Sequence, residues 1–418
     1  MTSRERVYKA INHEQPDKVP VDLGATAVTG ISASSYAKLR KRLGLKAGRV
    51  KVWEPYQILG EVEEEIRSLI GVDVIGLTLP TTAFGFRNEG WKPWTLFDGT
   101  EVLVPEKFIT TQDEEGNLYI YPEGDTSVPP SGKMPKGGFY FDAIVRQELI
   151  DYSNLDPEVW ARQMYKILTD EELGYIEETS TALFNNTDYF IIGNLISASF
   201  GDIAWVPGPM LKHPRGIRDP QEWYIALMAH PEYVKGIFDI QLEVALENLK
   251  LVHQAVGDRI GALIISGTDF GTQNGPFFSP DMYRELFKPY HKAINDWIHR
   301  HTSWKTFYHS CGSVVKLLDD FVDAGVDILN PVQTSAAGMD PEWLKKNYGH
   351  KLTFWGGGVD TQNTLPFGTP DEVAEQVKYR MRVFGNGGGF VFATVHNIQS
   401  GVKEENLVAL IESIKAFR

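Results

Sequence analysis

The sequence predicts a single (β/α)8 barrel, a fold of the α/β class, and three observations point to it. Eight short runs, at 19–24, 72–77, 189–196, 261–267, 306–309, 327–331, 352–355 and 389–394, are near-continuously apolar, as strands buried on both faces are. Most of them are separated by stretches with helical spacing of apolar residues, the alternation that builds a parallel sheet with its helices outside. No run is followed by a Gly-rich dinucleotide fingerprint, which weighs against the alternative, an open doubly wound sheet.

In chain order, 2–11 has the pattern of a short amphipathic helix, and Val19-Pro20-Val21-Asp22-Leu23-Gly24 is the first strand. The spacing of Tyr36, Leu39 and Leu43 predicts a helix over 33–43; another covers 61–70 and stops at Gly71. Residues 86–140 break the rhythm. Short alternating runs there carry Asp-Gly and Glu-Gly-Asn turns and predict antiparallel hairpins. This segment is too poor in apolar residues for a core of its own, so it is expected as an insertion within one domain spanning 1–418. Beyond it, helices are predicted at 157–180, 220–229, 231–256, from Ser279-Pro280 onward, and at 313–324, 340–347, 370–383 and 404–416. Ser279 and Pro280 are a good N-cap and first-turn pair.

Composition narrows the function. A net charge of −14 without any basic stripe argues against nucleic acid as a partner. The single Cys excludes a disulfide framework and fits a reducing compartment. The polar start after Met1 and the lack of a long apolar run predict a soluble, cytoplasmic protein without a membrane partner. A homodimer remains open.

The predicted carboxyl ends of the strands, where a barrel places its chemistry, are unusually polar: Asp22, Asn194, Asp269, His309, Cys311, Asn330, Gln333, Asp360, His396 and Asn397 lie at or just beyond them. His309 and Cys311, two apart at one strand end, project to one side. With His396 they form a candidate three-ligand zinc site, the catalytic form that keeps a fourth position open. Each has a plainer reading: Cys311 as a buried inert thiol, His396 as a hydrogen-bonded core histidine, Asp269 as a loop cap. His213, His230, His291, His299, His301 and His350 fall on helical or loop stretches and are expected at the surface.

Several stretches resemble the uroporphyrinogen decarboxylase superfamily: TSRERVYKAINHEQPDKVPVDLG, TDFGTQNGPFFSPDMYRELFKPYHKAI, FYHSCGSVVKLLDDFVDAGVDILNPVQ, LTFWGGGVDTQNTLPFGTP and GGFVFATVHNIQ. The resemblance covers nearly the whole chain apart from 86–140 and implies a (β/α)8 barrel. It offers two activities. Decarboxylases of this superfamily hold a polycarboxylate with arginines near the N-terminus, whereas here Ala25-Thr26-Ala27-Val28-Thr29-Gly30-Ile31-Ser32 contains none. The other branch is the zinc-dependent, corrinoid-linked methyltransferases, which resemble methylcobalamin:coenzyme M methyltransferase and carry His-x-Cys after strand five and a Cys after strand eight. His309 and Cys311 match the first pair; His396 stands at the second position.

The resemblance therefore implies a methyl group moved between a small methylated substrate, a methoxylated aromatic or a thiol, and a corrinoid (cobalamin) carried by a partner protein. Zinc would be held by His309, Cys311 and His396, and fewer thiolates leave a more Lewis-acidic metal, suited to an oxygen substrate and O-demethylation. Asp269 and then Asp360 are the candidate catalytic carboxylates; Asp22, Asn194, Asn330, Gln333 and Asn397 are candidate substrate contacts. A metal-free decarboxylase-like lyase and a non-catalytic binding barrel remain the alternatives.

Overall fold

The seven apolar runs from 72 onward become seven parallel strands of one sheet in the computed structural model, which describes residues 1–45 and 48–418. In spatial order they are Phe390–Val391, Thr353–Trp355, Ile328–Asn330, Lys305–His309, Ala262–Ser266, Phe190–Asn194 and Val74–Thr78. Neighbours in space are neighbours in sequence, and every pair is parallel. Long crossovers, mostly helical, are what such a sheet requires.

The sheet is curled. Val74, Phe190, Ile192, Ala262, Ile264, Phe307, Ile328, Trp355 and Val391, drawn from all seven strands, meet in one buried cluster. Val7, Ala10 and Ile11 of the Ser3–Ile11 helix join the same cluster. That helix starts with a Thr2/Glu5 capping box. Side chains alternate along a strand, so Phe307 facing inward fixes His309 on the inner side as well.

The predicted strand at 19–24 is reduced to a single bridge, Val21 to Phe392. Its backbone still bonds to both edges of the sheet. Asp22 N–H donates to Phe392 O, Phe392 N–H to Pro20 O and Asp73 N–H to Val21 O, all at 2.8 Å. Pro20 has no N–H to extend the ladder, and Gly24 turns the chain away at φ +89°. Asp73, wholly buried, accepts from Arg6 Nη1 and Arg418 Nη2 at 2.6 Å each and from Val21 N–H at 3.0 Å. It ties the first helix, the first strand run and the last residue together.

Other elements also differ from expectation. The predicted helix at 157–180 is two helices, Pro157–Met164 and Asp170–Asn186, because Thr169 and Glu172 form a capping box that starts a new one. The Ser279-capped helix likewise splits into Pro280–Leu286 and Lys288–His301. Strands Val50–Glu54 and Leu59–Gly60 were not foreseen. Val50–Glu54 pairs in parallel with Glu101–Val104, which pairs antiparallel with Lys92–Thr95. The first hairpin of 86–140 thus shares its sheet with the 50–60 segment. The rest forms an antiparallel sheet of Thr110–Gln112, Leu118–Ile120, Gly132–Met134 and Asp142–Ala143. Among the described residues no helix is long and apolar enough to cross a membrane.

Candidate metal centre

The centre is built by two turns pressed together. The chain leaves Lys305–His309 through Gly312, at φ +82°, where a Cβ would stand 2.3 Å from the backbone of Gly271. A Cβ on Gly271 would in turn stand 2.7 Å from Cys311 O. Only a pair of glycines lets the turns after Ala262–Ser266 and Lys305–His309 approach this closely. The approach brings Asp269 alongside, and its Oδ1 accepts the Cys311 N–H at 2.7 Å.

His309, Cys311 and His396 offer ligand atoms that all lie within 4.8 Å of one another. His309 Nε2 is 3.4 Å from Cys311 Sγ, and the two imidazole rings cross edge to face with centroids 5.4 Å apart. A tetrahedral zinc with bonds of about 2.0 Å to nitrogen and about 2.3 Å to sulfur separates those two ligands by roughly 3.5 Å. The donor set and its spacing therefore fit such an ion. Burial, and secondarily the neighbouring His309, lowers the His396 pKa to about 4, so its imidazole is neutral at pH 7 and a nitrogen lone pair is free. Burial, reinforced by Asp269, pushes the Cys311 thiol well above its usual value. Without a cation the sulfur keeps its proton; a divalent ion is what would draw it off.

Asp269 is the nearest carboxylate, with Oδ1 3.7 Å from His309 Nε2. His396, Cys311, Gln273, Gln333 and Gln362 border a cleft of about 260 Å³. Gln333 Oε1 accepts the Gly312 N–H at 2.7 Å, and Gln362 Oε1 takes Gln273 Nε2 at 3.0 Å. Asn330 lies below, buried, with Oδ1 2.6 Å from His309 Nδ1 and Nδ2 donating to Trp355 O at 2.8 Å.

The other expected residues are placed differently. Asp360 accepts from Gln362 N–H at 2.8 Å and Asn363 Nδ2 at 3.1 Å, holding the turn after Thr353–Trp355. Asn397 is fully engaged, accepting from Gly30 N–H and donating to Ala27 O and Gln57 Oε1. Asp22 is buried under the indole of Trp355, whose Nε1 donates to it at 2.9 Å; burial raises its pKa to about 6. Asn194 ends its strand exposed. His291 is a correction: expected at the surface, it is buried on the inner side of Lys288–His301, its Nδ1 3.0 Å from Tyr283 Oη.

Two acidic residues escaped the sequence. Asp202, on the loop following Phe190–Asn194, accepts from Ala204 N–H, and its Oδ2 would sit 3.1 Å from a Cβ on Gly267. Burial raises its pKa to about 7, and Asp269 adds to the rise. Glu54 accepts the N–H groups of Tyr56 and Gln57, and burial lifts it to about 7. No motif marks either one, and Glu54 ends a strand the pattern did not reveal.

Residues 211–417 match a protein-family model described as Uroporphyrinogen decarboxylase (URO-D). No curated protein matches the chain. A solved structure, a methyltransferase from Methanosarcina mazei, is similar at a TM-score of 0.53 and 14% sequence identity, covering 100% of this chain and 99% of that one. At that identity the likeness speaks to the fold, an α/β architecture with a curled parallel sheet.

Proposed function

The chain belongs to the uroporphyrinogen decarboxylase superfamily, and from that premise we propose that it is a zinc-dependent methyltransferase. It moves a methyl group between a small methylated substrate, a methoxylated aromatic or a thiol, and a corrinoid carried by a partner protein. The observation that carries the reading is the convergence of His309, Cys311 and His396 within 4.8 Å. They come from two strand ends separated by more than 80 residues of sequence. The fold around them is read as one closed (β/α)8 barrel, the Val21 bridge serving as its eighth stave; the hydrogen bonds from 20–22 to both sheet edges support this. In that reading 86–140 is an insertion on the barrel.

Zinc held by the three ligands supplies a Lewis acid for the heteroatom that loses or gains the methyl group. The chain's own residues do the rest. Asp269 fixes the Cys311 backbone and, from 3.7 Å, is close enough to His309 Nε2 to orient a substrate or complete the ligand set. The amides of Gln273, Gln333 and Gln362 give the cleft a neutral hydrogen-bonding wall. Such a wall suits an ether, phenol or thiol better than a polycarboxylate, and the Arg-free loop at 25–32 supports the same preference over a decarboxylase.

The test is metal analysis of the purified protein and of Cys311→Ala, followed by incubation with cob(I)alamin and a panel of methoxylated aromatics and methylated thiols while the corrinoid spectrum is followed. One zinc per chain in the wild type, lost in the variant, with methylation of the corrinoid by one panel member, is expected. Full zinc in Cys311→Ala, or turnover unchanged by chelator, would end the proposal.

A further inference from the structure

We infer that Asn330 is a positioning residue: it locks His309 in the tautomer that carries its proton on Nδ1 and presents Nε2, lone pair outward, to Cys311 and His396. The inference rests on the reading of the cluster as a metal centre and adds the part that orients its innermost ligand.

The contact of Asn330 with Trp355 has a fixed direction. Trp355 O is a carbonyl and can only accept. The Asn330 atom 2.8 Å from it is therefore the amide nitrogen, and that assignment turns Oδ1 toward His309. A carbonyl oxygen 2.6 Å from Nδ1 demands a proton on Nδ1. A histidine that serves as a metal ligand is neutral and has one proton, so Nε2 has none, and it is Nε2 that lies 3.4 Å from Cys311 Sγ. Flipping the amide would set its oxygen against the Trp355 carbonyl oxygen at 2.8 Å, a repulsion between two buried acceptors that a new contact at His309 Nδ1 would not offset.

The surroundings keep Asn330 from relaxing. It is 0% exposed. Gly356, at φ +99°, passes so close that a Cβ there would lie 3.3 Å from Asn330 Nδ2. Ser310 N–H donates to Asn330 O at 2.7 Å, so the strand ends carrying His309 and Asn330 are in register through their backbones too. Trp355 is itself pinned by its indole to Asp22. A fixed chain from Asp22 through Trp355 and Asn330 to His309 thus crosses three strands of the sheet. A histidine ligand whose far nitrogen is held by an oxygen is oriented and made more basic at the near one, and losing that partner typically costs 10–100-fold in metal affinity.

The decisive experiment is made on the metal-free protein. Long-range proton–nitrogen correlation spectra of nitrogen-15-histidine-labelled chain, with a His309→Gln sample for assignment, report which ring nitrogen of His309 carries the proton. The Nδ1–H form is expected in the wild type and a mixture in Asn330→Leu; Asn330→Asp, read at a pH where its buried carboxyl is protonated on the oxygen facing Trp355 O and so keeps both contacts, restores the wild-type pattern. An Nε2–H form in the wild type, or an unchanged tautomer in Asn330→Leu, overturns the inference. Zinc competition against a chromophoric chelator follows on the same three proteins, with affinity expected to fall 10–100-fold in Asn330→Leu and to be regained in Asn330→Asp. An equal loss in both variants would also overturn it. A wild type with the inferred tautomer but no zinc binding would instead refute the metal reading of the site, so the two failures can be told apart.

Discussion

Asp202 offers a test of the electrostatics around Asp269 that does not depend on any metal. Its carboxylate is half-buried, accepts one backbone N–H, from Ala204, and meets no cation among the described residues. Burial, with some repulsion from Asp269, moves its pKa from 3.8 to about 7. That rise corresponds to about 4 kcal/mol of preference for the neutral form; allowing for solvent screening of a part-exposed group leaves about 2 kcal/mol. The sign follows from proton counting. Between about pH 4 and pH 7 the folded chain holds a proton that the unfolded chain has lost, so stability falls as pH rises through that window and is flat above it. Asp202→Asn removes the slope while its amide oxygen keeps the Ala204 bond. Urea unfolding should find the variant more stable by about 2 kcal/mol at pH 8, with most of the gain gone at pH 4.5. Asp22 and Glu54 titrate in both proteins, so their contributions cancel in the difference. The same offset at both pH values, or a variant less stable at pH 8, would refute the claim that this carboxylate is strained by its surroundings.

Other expectations concern the scaffold and the metal. Gly312→Ala places a Cβ 2.3 Å from Gly271 at φ +82°; the left-handed backbone alone costs about 1–2 kcal/mol, and the turns must separate, so both urea midpoint and zinc content should drop. Asp73→Ala leaves Arg418 as a buried cation without its carboxylate, while Arg6 keeps Asp17; a loss of about 3 kcal/mol is expected by urea unfolding, and a loss under 1 kcal/mol would show that the clamp is dispensable. Chelator should lower the melting temperature of the wild type, since a bound ion stabilises only the folded chain, and should leave Cys311→Ala unmoved.

The parts of the fold legible in the sequence were those dominated by burial on two sides. The seven strands from Val74–Thr78 to Phe390–Val391 read as apolar runs because both of their faces are covered, and the helices 220–229 and 231–256 read to the residue because each begins on a proline. Val50–Glu54 did not, since Lys51 faces solvent and only five residues alternate before Pro55. The 157–180 helix was overdrawn because apolar spacing continues across Tyr165 to Leu168, while a capping box, a purely local polar signal, restarts the chain.

The site divides along the same physical line. Strand alternation alone was enough to put His309 and Cys311 at one edge, because it fixes the side to which a side chain points. It said nothing of His396, whose approach depends on the curl of the whole sheet. Nor does alternation distinguish an amide that meets a ligand from one that holds the scaffold. Asn330 ends its strand and Asn397 follows one, and both looked like substrate contacts. Asn397 is committed to Gly30, Ala27 and Gln57, and Asn330 spends its amide between Trp355 and His309. The difference lies in what each finds in space around it, a property of tertiary distance that no spacing encodes. A polar strand end therefore marks a candidate for the cleft, and whether it lines the cleft, as Cys311, Gln333 and His396 do, or holds the scaffold is decided by the partner it meets.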